Sequence, residues 1–475
     1  MKKLVIVGLA IYLFLLIFSR FYNLEYTARF TEDESGFLVS LHQIYVDKKL
    51  TLIGQVNEMG TKVFSSLSIY LLLPFAVLGK FNPASVFYGA AFWGVATALV
   101  MLYLSKVVNN KILFLSALLI LLWFPLLQTG RWAWNPNFIP FWISLGLLFY
   151  LQKKRWFYLL TGLSFGLSIH HHYYAIFAVS IFTIITSLEA LKNRQFINAF
   201  LVNLGVALTL LPFVIFDLRH PPGLFIMGAS NQAQNLALGE ILNNIWNFLG
   251  EVLRYYAQSA ILFPLLVLEL ILLLIFDIKK KGRSLIFLLP CLGQIIFIAI
   301  LGVFYQHYFF AMLPFFFIWV IYPRETKGFL LSFLIILTLI IGSIAPFVRL
   351  LTTAPVEPDL ATVNNISSLL KNQIKSNDLK NVNIAVLSSP DKNTNGRKYR
   401  DILLVPENLH PLSKDEYHFT DHLFVISTAA EDKLRSDPAT ELNRFRFGPL
   451  RAKWQIDDSP WFVYHLLRNP DETAK

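Results

Sequence analysis

The chain has 475 residues, of which 55% are apolar and only 15% are charged, and its mean hydropathy is +0.55. Soluble domains carry about a quarter charged residues, so this composition excludes an ordinary soluble enzyme and predicts a membrane protein. The net charge of +11 does not indicate a nucleic-acid partner, because many lysines and arginines lie in short segments between apolar runs. The single cysteine, Cys291, excludes a disulfide framework.

Eleven apolar runs are predicted to cross the membrane, although several are shorter than the roughly 20 residues that a spanning helix needs. These runs are 4–21, 84–105, 112–128, 137–151, 156–170, 173–189, 197–216, 258–277, 284–304, 308–322 and 328–350. The first run follows Lys2-Lys3 and lacks a small-residue cleavage site, so we interpret it as an uncleaved helix. The run 66–79 contains Pro74 and is interpreted as an in-plane helix within a first outer loop, 22–83. A true crossing that is compensated by a missed helix stays open.

Basic segments set the predicted orientation, because cytoplasmic loops are enriched in lysine and arginine. In this assignment an even number of crossings separates Lys2-Lys3, Lys106–Lys111, Lys153–Arg155, Lys192–Arg194, Lys279–Arg283 and Arg324 with Lys327. We therefore predict a multi-pass plasma-membrane protein with a cytoplasmic N-terminus, and the compact loops favour a bacterial one.

A change in composition near residue 350 predicts two domains, a transmembrane domain over 1–350 and an extracytoplasmic domain over 351–475. The second has short buried strands at 383–387, 423–426 and 461–466 and a helix at 361–374, which indicates an α/β fold. We interpret it as a lid or acceptor-docking domain without chemistry of its own. The predicted fold class is a polytopic α-helical membrane protein with a C-terminal α/β soluble domain.

The first outer loop begins with three consecutive acids, Glu32, Asp33 and Glu34. A solvated acidic turn explains them equally well. The functional interpretation is a carboxylate, Asp33 or Glu34, that acts as a general base or a metal ligand at the membrane surface.

Other polar residues follow in later outer segments. Lysine and arginine are enriched in cytoplasmic loops, so Arg131, which lies on the predicted outer face, is a candidate anion ligand. Ionisable groups at membrane depth are also usually functional. Three consecutive histidines point in different directions on a helix, so a metal site made of all three is not expected. The candidates for binding substrate or phosphate are Arg131, Asn135, His170, His171, His172, Tyr173, Asp217, Arg219, His220 and His307.

The sequence resembles the GT-C membrane glycosyltransferases in the order of these motifs and in their shared position on the outer face of the membrane. The nearest branch is glycosyltransferase family 39 with the aminoarabinose-transferase-like enzymes, which are related to protein O-mannosyltransferases. The resemblance covers most of the membrane region and rests on four motifs. They are Asp33-Glu34, Gly130–Asn137, Phe216–His220, and Tyr305–Phe309 followed by Pro314.

The resemblance implies inverting transfer of a sugar from a polyprenyl-phosphate donor to an acceptor on the outer face. Asp33 takes the place of the family's first-loop acid, the general base that deprotonates the acceptor hydroxyl. From charge and sidedness we expect Arg131, Arg219 and one of His170–His172 to stabilise the leaving phosphate. The acceptor is a protein, a lipid or a glycan.

One stretch departs from the family pattern. Many relatives have a His-Pro-Pro-like turn where this chain has Glu58-Met59-Gly60-Thr61-Lys62-Val63. Lys62 is a further candidate phosphate ligand, and Glu58 is a weak candidate ligand for a divalent metal, whose requirement stays open.

Three alternatives remain from the sequence. A polyprenyl-linked glycan ligase or polymerase uses the same class of donor. A lipid or sugar flippase would be expected to show internal repeats, broken helices or charges within the spans, and this sequence has no convincing repeat. A non-catalytic scaffold would tolerate the loss of Asp33.

Overall fold

The computed structural model describes residues 2–48, 50–56, 63–221, 223, 225, 236–355, 358–387, 395–405, 409–434, 437–445, 447–457 and 459–469. They are mostly helical, and they divide into two compact units built from interleaved segments of the chain. The first unit consists of Met1–Tyr22, Thr51–Ser68 and Ala90–Leu351. The second consists of Asn23–Leu50, Ile69–Gly89 and Thr352–Lys475.

The helices and strands are numbered here in chain order. The helices are α1 (Lys2–Phe21), α2 (Leu24–Thr27), α3 (Glu32–Asp47), α4 (Leu67–Leu78), α5 (Pro83–Val108), α6 (Leu113–Leu122), α7 (Phe124–Thr129), α8 (Ile139–Leu151), α9 (Arg155–His171), α10 (Ala175–Lys192), α11 (Phe196–Arg219), α12 (Leu238–Ala257), α13 (Phe263–Lys279), α14 (Leu285–Leu301), α15 (Met312–Ile321), α16 (Thr326–Thr352), α17 (Leu360–Ser376), α18 (Arg397–Leu404), α19 (Glu431–Leu434) and α20 (Thr440–Phe445). The strands are β1 (Ile53–Val56), β2 (Val63–Ser65), β3 (Val382–Val386), β4 (His422–Ser427), β5 (Phe447–Gln455) and β6 (Phe462–Arg468).

Four helices of the described chain, α5, α10, α11 and α16, are long and apolar enough to cross a membrane. The predicted apolar runs coincide with helices, so a polytopic helical membrane protein is confirmed in outline, whereas the count of eleven crossings stays a prediction. The run 66–79 forms α4, whose 12 residues are fewer than a bilayer requires. Its in-plane orientation stays a prediction.

Two features of the helices differ from the sequence analysis. The predicted run 112–128 is two helices, α6 and α7, which meet at the extended backbone of Trp123. Pro125 has no N–H to bond to the preceding turn and is tolerated only in the first turn of α7. Helix α12 was not predicted, because it is amphipathic rather than uniformly apolar.

Close packing in the first unit fixes the end of α9. A Cβ at Gly162 of α9 would collide with the carbonyl group of Val202 in α11, and one at Gly166 would collide with Thr209. Small residues at such contacts let two membrane helices approach closely. The C-terminal half of α9 is therefore held against α11.

The second unit contains a four-stranded sheet in the order β3-β4-β6-β5. Strands β3 and β4 are parallel, while β6 is antiparallel to both β4 and β5. The predicted strands correspond to β3, β4 and β6, and the predicted helix to α17, whereas β5 was not predicted. Segments 23–50 and 69–89, which the sequence analysis assigned to the membrane domain, group here with the chain after residue 351.

Candidate functional site

His170 lies in the last turn of α9, where both of its ring nitrogens are hydrogen-bonded. Nε2 lies 2.7 Å from the backbone oxygen of Thr209, which can only accept, so this nitrogen carries the proton. Nδ1 lies 3.0 Å from the hydroxyl of Ser65 in β2 and, in the neutral ring, accepts from it. The imidazole thus links α9 to α11 and to the β1–β2 hairpin.

His171 is fully buried and similarly bonded. The indole Nε1–H of Trp142, which can only donate, lies 2.8 Å from its Nε2. The proton of a neutral ring therefore sits on Nδ1, which donates to the Ser68 hydroxyl at 2.7 Å. Asn135 adds a third bond, because its side-chain amide donates to the His171 backbone oxygen at 2.7 Å.

His172 ends the helix in an extended conformation and faces different neighbours. Its ring centroid lies 4.8 Å from that of His307 and 5.2 Å from that of Tyr308. The His307 ring in turn lies 4.4 Å from Trp134, which stacks on Trp132 at 4.4 Å. We call His172, His307, Tyr308, Trp134 and Trp132 the aromatic–histidine cluster.

The cluster joins three motifs that are far apart in the sequence, namely 130–137, 170–174 and 305–308. Trp132, Trp134 and His307 are only partly buried, so the cluster presents aromatic faces together with imidazole groups at the surface of the first unit. Aromatic faces bind the apolar face of a ring, and imidazoles hydrogen-bond to hydroxyl or phosphate oxygens. This combination suits a sugar ligand.

The Arg131 side chain is buried and bonds to the end of α1. Its guanidinium donates to the backbone oxygens of Ser19, Arg20 and Tyr22 at 3.0 to 3.2 Å. Carbonyls at the end of a helix lack intrahelical partners, and a cation there also complements the helix dipole. Arg131 therefore anchors the 130–137 segment to α1.

Four further candidates lie in or near the end of α11 and in the adjoining segment. Tyr173 packs on Phe64, and its hydroxyl is buried without a hydrogen-bond partner among the described residues. Asp217 accepts a hydrogen bond from the backbone N–H of Phe225 at 3.0 Å. His220 is exposed and its Nδ1 lies 2.9 Å from the backbone oxygen of Phe216, while Arg219 is exposed.

The two acids of the second unit have different environments. Glu34 is fully buried, and its carboxylate accepts from the backbone N–H and the hydroxyl of Thr31 at 2.6 and 2.5 Å. The Thr31 hydroxyl in turn accepts from the backbone N–H of Asp33, which completes a capping box at the start of α3. The Asp33 side chain is exposed in that first turn. Glu34 thus stabilises the helix, and Asp33 is the accessible acid.

Two sequence candidates, Lys62 and Glu58, lie outside the described residues. Among residues that are described, no group of three or more His, Cys, Asp or Glu side chains is placed to hold a metal ion. The metal site therefore stays a prediction.

The first unit also contains an apolar cavity of about 640 Å³ that sequence reasoning missed. Helices α12, α13, α14 and α15 line it, mainly with leucine, isoleucine, valine and aromatic side chains. Asn247 and Arg254, both on α12, are the polar lining residues, and the Arg254 guanidinium pairs with Glu251 at 2.8 Å. The amphipathic pattern of α12, in which Asn, Glu and Arg are interspersed among apolar residues, could have predicted this helix and therefore this side of the cavity from the sequence.

The cavity and the aromatic–histidine cluster are connected through α7. The Trp123 indole donates to the backbone oxygen of Tyr256 at 3.2 Å, and the Tyr255 hydroxyl donates to Gln128 at 2.8 Å. Gln128 lies two residues before Gly130, where the segment that contributes Trp132 and Trp134 begins. The end of α12 that carries Arg254 is therefore close in the fold to the start of that segment.

Comparison with known proteins shows similarity in structure only. No protein-family model and no curated protein sequence matches the chain. Two crystal structures of ArnT from Cupriavidus metallidurans are similar, one of the apo state (TM-score 0.57, 11% identity) and one bound to undecaprenyl phosphate (TM-score 0.56, 10% identity). Each comparison covers 98% of this chain and 98% of the other. The similarity confirms an ArnT-like fold, which is the fold that the predicted resemblance implies.

Proposed function

From this ArnT-like fold, we propose that the chain is a membrane glycosyltransferase that uses a polyprenyl-phosphate sugar donor. It transfers the sugar with inversion to an acceptor hydroxyl on the outer face of the plasma membrane. The observation that carries the proposal is the apolar cavity with a cation on its wall, in a chain whose structural neighbour ArnT binds undecaprenyl phosphate.

The cavity is suited to the lipid part of such a donor. Its volume lies in the range of about 300 to 1,000 Å³ that is typical of small-molecule sites. A polyprenyl chain offers only apolar surface, and each Å² that it buries contributes about 25 cal/mol. Side chains such as Leu270, Leu274 and Ile295 provide the matching wall.

Arg254 is the cation that we assign to the donor phosphate. Its partner Glu251 is one helical turn away, and both side chains are more than half exposed. Exposed pairs of this kind contribute only about 0 to 1 kcal/mol, so a phosphate can replace Glu251 at little cost. A guanidinium binds phosphate through two parallel hydrogen bonds. Arg219 and Lys62 stay as further candidate phosphate ligands, whereas Arg131 is assigned to anchoring the 130–137 segment.

The aromatic–histidine cluster is assigned to the sugar. Trp132 and Trp134 offer faces for the C–H side of a pyranose or furanose ring, while the partly buried His307, against which the buried His172 packs, can bond to its hydroxyls or to the departing phosphate. His170 and His171 are assigned a structural role, because both ring nitrogens of each are already hydrogen-bonded inside the protein.

Asp33 is assigned as the general base. The acceptor hydroxyl attacks the anomeric carbon on the face opposite the phosphate and gives its proton to the Asp33 carboxylate. The bond between the anomeric carbon and the phosphate oxygen breaks at the same time, and polyprenyl phosphate leaves with the electron pair. The first turn of a helix favours negative charge, so the position of Asp33 in α3 suits a carboxylate.

Purified protein in lipid nanodiscs and a set of radiolabelled polyprenyl-phosphate sugars test the proposal. Transfer to endogenous or added acceptors, with release of polyprenyl phosphate, is the expected result. Movement of intact donor across a vesicle membrane without release of polyprenyl phosphate would instead identify a flippase. Extension of a lipid-linked glycan by whole oligosaccharide units would identify a ligase or polymerase.

A further inference from the structure

Helix α3, which carries Asp33, is attached to the C-terminal chain of the second unit by a side-chain hydrogen bond. The hydroxyl of Ser35 lies 2.7 Å from Oδ2 of Asp401 in α18. Ser35 is fully buried, and the Asp401 side chain is 19% exposed. A hydrogen bond between two such shielded groups restrains the helix more firmly than one at the surface, where water competes.

The segment before α3 is held by the same part of the chain. Arg29 pairs with Asp359 in an isolated antiparallel bridge, and the backbone N–H of Leu360 donates to the oxygen of Ala28 at 3.1 Å. The Lys398 ammonium lies 3.4 Å from the backbone oxygen of Phe30. Backbone contacts therefore fix the chain before the capping box, and the Ser35–Asp401 bond fixes the turn after it.

The net effect of the surroundings of Asp401 is to raise the pKa of its carboxyl group. Burial raises the pKa of its carboxyl group, while Ser35, Arg397 and Arg400 act in the opposite direction. The Ser35 hydroxyl also lies 3.0 Å from the backbone oxygen of Glu32 in the same turn as Asp33. A shift of Ser35 would therefore be transmitted directly to the first turn of α3.

On the basis of the proposed function, we infer that Asp401 and Ser35 are positioning residues for the general base Asp33. The C-terminal domain, which the sequence analysis interpreted as a lid or docking domain, has in this inference a further role, because it holds the helix turn from which the carboxylate projects. Placement within about 0.5 Å matters for a catalytic group, and a misplacement of about 1 Å can cost about 10²-fold in rate.

The test uses the full-length protein in nanodiscs and two independent readouts. Hydrogen–deuterium exchange reports the protection of the amides in 31–40, and steady-state kinetics separate kcat from KM for the donor. The variants are Ser35→Ala, Asp401→Leu and the conservative Asp401→Asn, whose amide oxygen can still accept from Ser35. The matched control is Tyr464→Phe, which removes one hydroxyl that donates to Ala429 at 2.7 Å elsewhere in the same domain.

We expect Ser35→Ala and Asp401→Leu to speed exchange in 31–40 by about tenfold and to lower kcat by about tenfold with little change in KM. Asp401→Asn should keep most of the wild-type exchange protection and most of the wild-type kcat. Tyr464→Phe should change neither the exchange nor kcat. Unchanged exchange in 31–40, or an equal loss of kcat in Tyr464→Phe at equal folded fraction, would overturn the inference. A wild-type protein that transfers no sugar would overturn the proposed function, and the exchange of Asp401→Leu would still decide whether the contact holds α3.

Discussion

The indole N–H of Trp142 donates to Nε2 of His171, and this bond separates the roles of the consecutive histidines. It fixes the tautomer of a fully buried ring whose other nitrogen bonds to Ser68. His172, one residue later, leaves the helix and contacts His307 instead. His171 thus has a structural role, whereas the adjacent His172 belongs to the aromatic–histidine cluster of the candidate site.

His171→Ala should therefore destabilise the protein, whereas His172→Ala should lower transfer while the fold is kept. The first change removes the partners of the partly buried Trp142 N–H and of the fully buried Ser68 hydroxyl, and a buried group left unpaired costs about 1 to 3 kcal/mol. Thermal unfolding followed by size-exclusion chromatography measures the first effect, and transfer per folded molecule measures the second. The assignment is wrong if His172→Ala unfolds the protein and His171→Ala does not.

Arg254→Gln should raise the KM for the polyprenyl-phosphate donor by about tenfold with little loss of stability. Removal of the guanidinium costs a charge-assisted phosphate contact of about 1.4 kcal/mol or more, while the exposed pair with Glu251 contributes little to folding. Glu251→Gln is the matched control, and it should lower KM or leave it unchanged. A KM for Arg254→Gln equal to that of the wild type would remove Arg254 from the phosphate site.

Leu274→Trp should fill part of the apolar cavity and weaken binding of long-chain donors. The tryptophan ring would occupy volume that a bound polyprenyl chain needs, and overpacking of apolar groups typically costs about 1 to 3 kcal/mol. We therefore expect KM to rise about tenfold for a long polyprenyl chain and less for a two-isoprene analogue. Ile275→Trp is the control, because Ile275 is 43% exposed and lies beside the cavity wall without lining it. Equal effects of the two variants would contradict a lipid-binding cavity.

The C-terminal domain should lose stability as the pH falls below about 6.5. Burial between Phe424 and Trp454, with His422 and Arg451 nearby, lowers the pKa of His465 to about 4. The pKa of a histidine in the unfolded chain is 6.5. Between pH 6.5 and about 4 the unfolded chain therefore binds a proton that the folded domain does not, so acid favours unfolding in this range. Hydrogen exchange of β4 and β6 at pH 7 and pH 5 measures the effect. His465→Phe should flatten the dependence, and an unchanged slope in that variant would assign it to another group.

Much of the architecture was predictable from the sequence, because apolar runs of 15 to 25 residues have few structures open to them in a bilayer. The break at Trp123 and the helix α12 were not, since the first depends on how Pro125 is accommodated and the second carries its apolar residues on one stripe only. The strand β5 was missed for a similar reason, because Arg451 and Lys453 interrupt its apolar residues.

The side-chain roles were less predictable than the helices. Residue type and sidedness suggested that Arg131 binds an anion, but the carbonyl groups of Ser19, Arg20 and Tyr22 that it bonds come from a segment more than 100 positions away. Asp33 and Glu34 are chemically alike in the sequence, and only the capping box distinguishes them. The roles of these side chains depend on tertiary contacts, which cannot be predicted from the residues adjacent in the sequence.

A comparison of sugar transfer by wild type, Asp33→Asn and Glu32→Gln at matched folded amounts decides whether Asp33 is the general base. Asp33→Asn removes the proposed base with almost no change in shape, so transfer should fall about 10²-fold or more, while Glu32→Gln should stay within about threefold of wild type. The product of the wild type should have the anomeric configuration opposite to that of the donor. Equal transfer by wild type and Asp33→Asn would exclude Asp33 as the general base, and retention of configuration would exclude the inverting mechanism.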